Sequence, residues 1–235
     1  MRALRPWHWL VVAALSLLAL LLLWVGIAYG GLPRLWSRHE HKRIGRRDEL
    51  ISYTAQDIPA DPINLRLKGD AAAIGCAFDR AGWTLADNVS VRSAVKIAAS
   101  VVLHRAYPAA PVSSLYVHDK VQDLAYQLDE GSSADRRHHV RLWQVAPGDW
   151  LAAATYDRGV GLSLFTLQIT HHIGRDVDAE RAAIGTLVTA SGARLLGTES
   201  SRLPPGKWHR NGGGDRYRTD GLIQIYSLGS GCAHR

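Results

Sequence analysis

Arg137-His138-His139-Val140-Arg141-Leu142-Trp143, then Ala154-Thr155-Tyr156-Asp157, then Gln168-Ile169-Thr170-His171-His172-Ile173, is the stretch whose reading decides the fold. Apolar and polar residues alternate in it, the period of a strand that shows successive side chains to opposite faces of a sheet. Five strand-like segments are predicted around it, at 112–118, 121–128, 138–145, 150–157 and 162–172. Turn-forming stretches such as Asp129-Glu130-Gly131-Ser132-Ser133 and Pro147-Gly148 separate them. Short turns join antiparallel neighbours, so the segments form a meander. In its simplest register His138 and His139 lie beside Thr155 and Tyr156. Asp123, Gln127, His139 and Arg141 then share one face, and Leu124, Tyr126, Val140, Leu142, Ala152 and Ala154 share the other. A slip of one residue would exchange the faces.

Working outward, 63–68 also alternates and reads as a half-buried strand. Asp70 can cap a helix over 71–81 that Gly82 ends. Val91, Ala94, Val95, Ala98, Val101 and Val102 recur at helical spacing and predict a second helix over 90–105. A third covers 178–190, capped by Asp178 with Glu180 in its first turn, and 194–198 and 222–228 read as final strands. The expected architecture is one α+β domain, a largely antiparallel sheet with helices on one face. Ala72-Ala73-Ile74-Gly75 recurs as Ala182-Ala183-Ile184-Gly185, a match too short to establish a repeat.

The amino-terminal region is of another kind. Leu10 to Ala28 carries no charge and is rich in Leu, Val and Ala, close to the roughly 20 residues a helix needs to cross a bilayer. Trp7, Trp9, Trp24, Tyr29 and Trp36 sit near its ends, where amphipathic rings prefer the interface. Ala28-Tyr29-Gly30 offers a small-x-small cleavage site, but the apolar run exceeds a usual signal core, which favours an uncleaved anchor. The expected division is a tail over 1–9, a transmembrane anchor over 10–29, a basic juxtamembrane linker over 30–61, and a domain over 62–235. Of the 28 Lys and Arg, eight lie within residues 1–47, against one acid, Glu40. The remainder carries as many acids as bases, so the net +7 belongs to the arm beside the membrane. A neutral domain lacks the basic face that polyanion binding requires, which argues against nucleic acid. The partner expected instead is the bilayer, through residues 10–29, with anionic headgroups near 34–47 and room for a membrane-protein partner. Two Arg precede the segment and six Lys or Arg follow it, and positive-inside counting puts the carboxyl-terminal domain in the cytoplasm. A short amino-terminal tail held inside would instead put it in the periplasm.

Several segments together resemble the LssY C-terminal domain family, from about Pro62 to Ser227. They are Gln122-Asp123-Leu124-Ala125-Tyr126-Gln127, the HHVRLW run at 138–143, Thr155-Tyr156-Asp157, Thr170-His171-His172 with Ile173, the DVDAER run at 176–181, and Asn211-Gly212-Gly213-Gly214-Asp215. The resemblance implies a module of bacterial membrane proteins, some with a phosphatidic-acid-phosphatase-like or DedA-like membrane part. It implies no particular reaction.

The residues themselves allow two kinds of chemistry. Imidazole and carboxylate are ligands of hydrolytic metal sites, and His138, His139, His171, His172, Asp157, Asp176 and Glu180 supply both. In the meander, however, the two His pairs stand about seven residues apart, or roughly 23 Å at 3.3 Å per residue, too far for one ion. The metal, and any cofactor, are therefore unknown. The catalytic candidates are His139, Asp157, His171 and His172, with histidine as acid or base and a carboxylate to orient it. The ligand-binding candidates are Asp123, Gln127, Arg141, Asn211 and Asp215. The glycine run at 212–214 has no following Gly-Lys-Ser/Thr and is no P-loop. Cys76 and Cys232 suit either one disulfide or two small buried side chains. The leading expectation is an accessory module that binds a small ligand, a lipid headgroup or a membrane partner. The alternative is a hydrolase of phosphate or lipid-phosphate esters. Gathering of His139, Asp157 and His171 or His172 in one pocket would favour the alternative.

Overall fold

A computed structural model describes residues 6–36, 38, 50–87, 112–130 and 136–229. Helix α1 (Pro6–Val25) runs through a π-helical turn at Gly26–Gly31 to Trp36, and its 30 residues from Trp7 to Trp36 are apolar enough and long enough to cross a membrane. The helix predicted over 90–105, Cys232 and the basic residues 39–47 lie outside the described residues. Cys76 carries no free thiol.

The domain begins earlier than the expected boundary. Strands β1 (Ile51–Tyr53) and β2 (Pro59–Pro62) fall within residues 30–61, where a linker is expected. β3 (Leu65–Lys68), helix α2 (Ala71–Arg80) and β4 (Thr84–Leu85) follow. Asp70 caps α2 as expected, its carboxylate accepting from the Ala73 N–H. After β5 (Tyr116–Val117) and β6 (Lys120–Val121) come the long strands β7 (Leu124–Asp129), β8 (Arg137–Ala146), β9 (Asp149–Leu162) and β10 (Ile169–Ile173). Helix α3 (Val177–Ala190) is capped by Asp176, which accepts from the N–H groups of Asp178 and Ala179, so the cap falls two residues before Asp178. β11 (Arg194–Ser200), β12 (His209–Arg210), β13 (Arg216–Tyr217) and β14 (Leu222–Ser227) complete the described strands.

The fold is α+β. The main sheet runs β11-β14-β3-β9-β8-β7-β4, with β10 beside the outer half of β9. All its named pairs are antiparallel except β14 with β3. The meander register is the expected one: His138 opposes Tyr156, His139 opposes Thr155, and Gln127 opposes His139.

One face of this sheet presents Leu65, Leu67, Tyr126, Val140, Leu142, Ala152 and Ala154 to Ile74 and Phe78 of α2 and Ile184 and Val188 of α3. Phe78 stacks on Tyr126 at 4.7 Å. Gly75 and Gly185, the two glycines of the short sequence echo, each face a tyrosine hydroxyl, Tyr126 and Tyr226 respectively. The other face is covered too. Trp143, Leu151, Ala153 and Ile223 pack beneath Ala60, Ile63, Leu115 and Val117, carried by β2, β5 and the segments flanking them. The polar row of β7–β9 is therefore roofed over, not solvated, and the site lies under that roof.

Candidate functional site

Alternation along β8 sends Arg137, His139 and Arg141 to the roofed face, and all three are buried. Asp157 of β9 is 2 % exposed and lies between two of them. One carboxylate oxygen accepts from Arg137 Nε at 2.9 Å and the other meets His139 Nε2 at 3.0 Å. The second terminal nitrogen of His139, Nδ1, lies 3.2 Å from Arg141 Nη1. A guanidinium only donates, so Nδ1 accepts and the ring proton sits on Nε2, donating to Asp157. The Thr155 hydroxyl lies 3.0 Å from the same ring. Arg141 Nη1 also donates to Asp61 at 2.7 Å, and Arg141 Nε to the Ser113 carbonyl. Arg137 Nη1 donates to Gln127 at 2.8 Å. Two buried ion pairs, Arg137–Asp157 and Arg141–Asp61, are thus bridged by one histidine.

His171 completes the group, and here the strand lengths overturn an expectation. Residues 158–161 carry two glycines and read as a turn, but β9 runs on to Leu162 and turns only at 163–168. β10 then pairs with the outer half of β9, setting Ile173 against Asp157 and His171 against Val160. The expected separation of about 23 Å between the two histidine pairs does not exist. The two inner glycines have local reasons. Gly159 follows a bulge, and a Cβ on Gly161 would stand 2.8 Å from His172 Nε2.

These residues line a cavity of about 290 Å³. Its wall carries Arg137, His139, Arg141, Asp157 and His171 on one side. Asp61, Thr54, Gln168, Thr170 and the Asn211–Gly213 turn close the rest. Burial would push the Asp157 carboxyl up, but the neighbouring His139 ring, Arg137 and His171 outweigh it and hold the group well below the usual carboxylate range. Burial lowers His171 to about 4; Asp157 pulls the other way, and the repulsion of Arg137 and Arg141 adds to the effect of burial. His171 is therefore neutral near pH 7. Its ring makes no hydrogen bond to another described residue, which leaves it the free acid–base group of the cavity. His139, bonded at both nitrogens, positions Asp157 and Arg141 instead. The Nη2 atoms of Arg137 and Arg141 likewise have no acceptor among the described residues.

The other candidates are placed as follows. Asn211 lines the cavity, its side-chain oxygen accepting from the Gly213 and Asp215 N–H groups. Gln127 lies beneath the cavity, against Arg137. His172 points to the opposite side of β10, where Asp215 holds its Nδ1 at 3.0 Å and also takes the Ile173 N–H. Asp215 thus pins β10 and lines a neighbouring groove instead of the cavity. Asp123 sits at the sheet edge, paired with Lys120 and the Gln144 N–H. His138, on the helix-covered face, meets Glu180 at 2.9 Å, and that bond raises it. Glu180 was expected as a first-turn helix residue and among the possible metal ligands, not as the partner of His138. Arg137 and Asp61 were not among the candidates. Arg137 was legible, two residues before His139 on the same face; Asp61 was hidden in a proline-flanked segment that reads as linker. Among the described residues, no group of three or more His, Cys, Asp or Glu side chains is arranged to hold a metal ion. A larger cleft of about 510 Å³ along β1 and β5 gathers none of the candidates.

A family model described as LssY C-terminus matches residues 46–223, most of the chain. The chain belongs to this family. The match begins before β1, so the LssY C-terminus domain includes the roof strands that an expected start at residue 62 leaves out. No curated protein and no solved structure matches the chain. Within the LssY C-terminus domain, the cavity collects side chains from the HHVRLW, TYD and THH segments and from the Asn-Gly-Gly turn.

Proposed function

We propose that the chain is a membrane-anchored domain whose cavity binds a small anionic ligand through a phosphate or carboxylate group. The observation that carries this reading is the pair of buried guanidinium groups at the cavity wall, Arg137 and Arg141, beside the uncharged His171. Asp157 and Asp61 balance their charge and fix their planes. A guanidinium so held loses little freedom when its remaining N–H groups meet an oxyanion, the setting in which bidentate contacts are strongest. Anchorage is supported by the 30-residue apolar helix, and a cytoplasmic domain by the excess of basic residues after it. The same charge distribution supports contact of 34–47 with anionic headgroups.

A second reading, hydrolysis of a phosphate or lipid-phosphate ester, is favoured by one observation: His139, Asp157 and His171 share the cavity. In it His171 takes the proton of an attacking water as its oxygen bonds to phosphorus, the ester P–O bond breaks, and the leaving alkoxide takes that proton from His171; Arg141 stabilises the developing charge, and Asp157 with His139 holds Arg137 and Arg141 in place.

Titration calorimetry of the full chain in detergent, with sn-glycerol 3-phosphate as the probe, tests the first reading. We expect one saturable site, weakened about tenfold by Arg141→Lys, which keeps the charge and loses the fork. An absence of binding to glycerol phosphate, inorganic phosphate and acetate would refute it. Turnover of p-nitrophenyl phosphate, lost in His171→Gln, would establish the second reading; its absence with binding intact would leave a binding module.

A further inference from the structure

We infer that the ligand of this cavity is a bilayer lipid with an anionic headgroup. The headgroup sits at Arg141 and His171, and the chain leaves along an apolar strip that reaches the membrane at the β9–β10 hairpin. This rests on the anion-binding reading and names the source of the anion.

The first observation places the hairpin tip. No Asp, Glu, Lys or Arg occurs between Arg5 and Arg34, so the helix leaves the hydrocarbon near Arg34. Trp36, two residues on, falls at headgroup level, where indole rings collect. It stacks on Phe165 of the hairpin, ring centres 4.0 Å apart and planes at 26°. Arg210 covers the same ring at 4.9 Å. The hairpin tip is therefore tied to the helix where the helix meets the headgroups.

The second observation is what the tip presents. Leu164, next to Phe165, is 90 % exposed. A loose loop is not the reason. The Ser163 hydroxyl accepts from the N–H groups of both Phe165 and Thr166 at 3.1 Å, and Thr166 is buried. Gly214, at φ +91°, packs so closely on Phe165 that no side chain fits there. A leucine held outward on a rigid tip beside a membrane helix is placed to enter the bilayer.

The third observation joins tip and cavity. Val160 pairs with His171 in register, so the two side chains share a face, and Leu162 follows on that face one alternation further out. Both are exposed, at 46 % and 48 %. An apolar strip thus leads from His171 through Val160 and Leu162 to Leu164. Gly213 lines both the cavity and the groove that holds Trp36 and Phe165. A free phosphate would need no such strip.

The test uses the full chain in nanodiscs of phosphatidylcholine with phosphatidic acid, released into detergent for native mass spectrometry. Glycerol 3-phosphate calorimetry runs in parallel. We expect one phosphatidic acid retained per chain. Leu164→Lys, at an exposed position that folding does not need, should lower retention about tenfold while leaving glycerol phosphate binding unchanged. Leu162→Ser should lower it less. Retention by Leu164→Lys equal to that of the parent overturns the inference, as does binding of glycerol phosphate without phosphatidic acid retention; both leave the anion-binding reading standing. Failure of the parent chain to bind either probe overturns both.

Discussion

Acidifying the protein from pH 7.5 to 4.5 should destabilise it through His171, and the size of that loss follows from its position. An imidazole in the unfolded chain takes its proton near pH 6.5, whereas in the fold burial and the neighbouring guanidinium groups of Arg137 and Arg141 lower His171 to about 4. Between these values the unfolded state binds more protons than the native one, so stability rises with pH across that window and is lost as pH falls through it. At about 1.4 kcal/mol per pH unit the interval amounts to about 3 kcal/mol. Solvent reaching the partly exposed ring screens some of this, and we expect about 2 kcal/mol. His138 works in the opposite sense. Its bond to Glu180 raises it, so its stabilisation is greatest in acid and declines as pH rises through its folded-state value. The clean quantity is therefore the difference between the parent chain and His171→Gln. Urea denaturation of both in detergent, followed by tryptophan fluorescence at half-unit steps from pH 4 to 7.5, gives it. The variant should gain on the parent steadily below pH 6.5. Parallel stability curves across the window would refute the placement of His171 beside the Arg137–Arg141 pair.

Asp157→Asn should cost about 3–5 kcal/mol in the same denaturation assay, because Arg137 then stays charged and buried with amide oxygens as partners and no counter-charge. Gly185→Ala should cost about 1–3 kcal/mol by driving a methyl group into the Tyr226 hydroxyl, and Tyr226→Phe should restore part of that loss, read as a double-mutant cycle. Asp215→Ala should release β10 from its tie to His172 and the Ile173 N–H, and amide exchange at 169–173 should quicken while exchange in β7 and β8 holds.

The centre of the fold was legible in the sequence because its signal is local. Alternation at 138–143 and 150–157 gave the register of β8 on β9, and with it the shared face of Gln127, His139 and Arg141. The failures came where two causes leave the same sequence mark. Glycine at 159 and 161 signals a turn, but here it serves a bulge and the approach of the His172 ring, so the strand runs on. That one misreading moved His171 away from Asp157. Pro59-Ala60-Asp61-Pro62 carries the composition of a linker, but its backbone lies in a strand and its aspartate pairs with Arg141 some 80 residues away. Periodicity reports which face a side chain takes, and contains nothing about what will cover that face. The roof, and hence the burial of the site, could only come from the folded chain.

The pairing of β3 with both β9 and β14 governs how the protein is made. β3 is made well before either of its partners, so one of its edges stays bare until residue 149 and the other until residue 222. The nascent domain therefore waits, tethered, with an unpaired strand rich in leucine. Contacts so distant in sequence make for slow folding and leave such an edge open to wrong partners. A ribosome stalled before β14 would release a chain whose helix is complete and whose sheet cannot close, and such a product belongs to the chaperones and proteases of the cell.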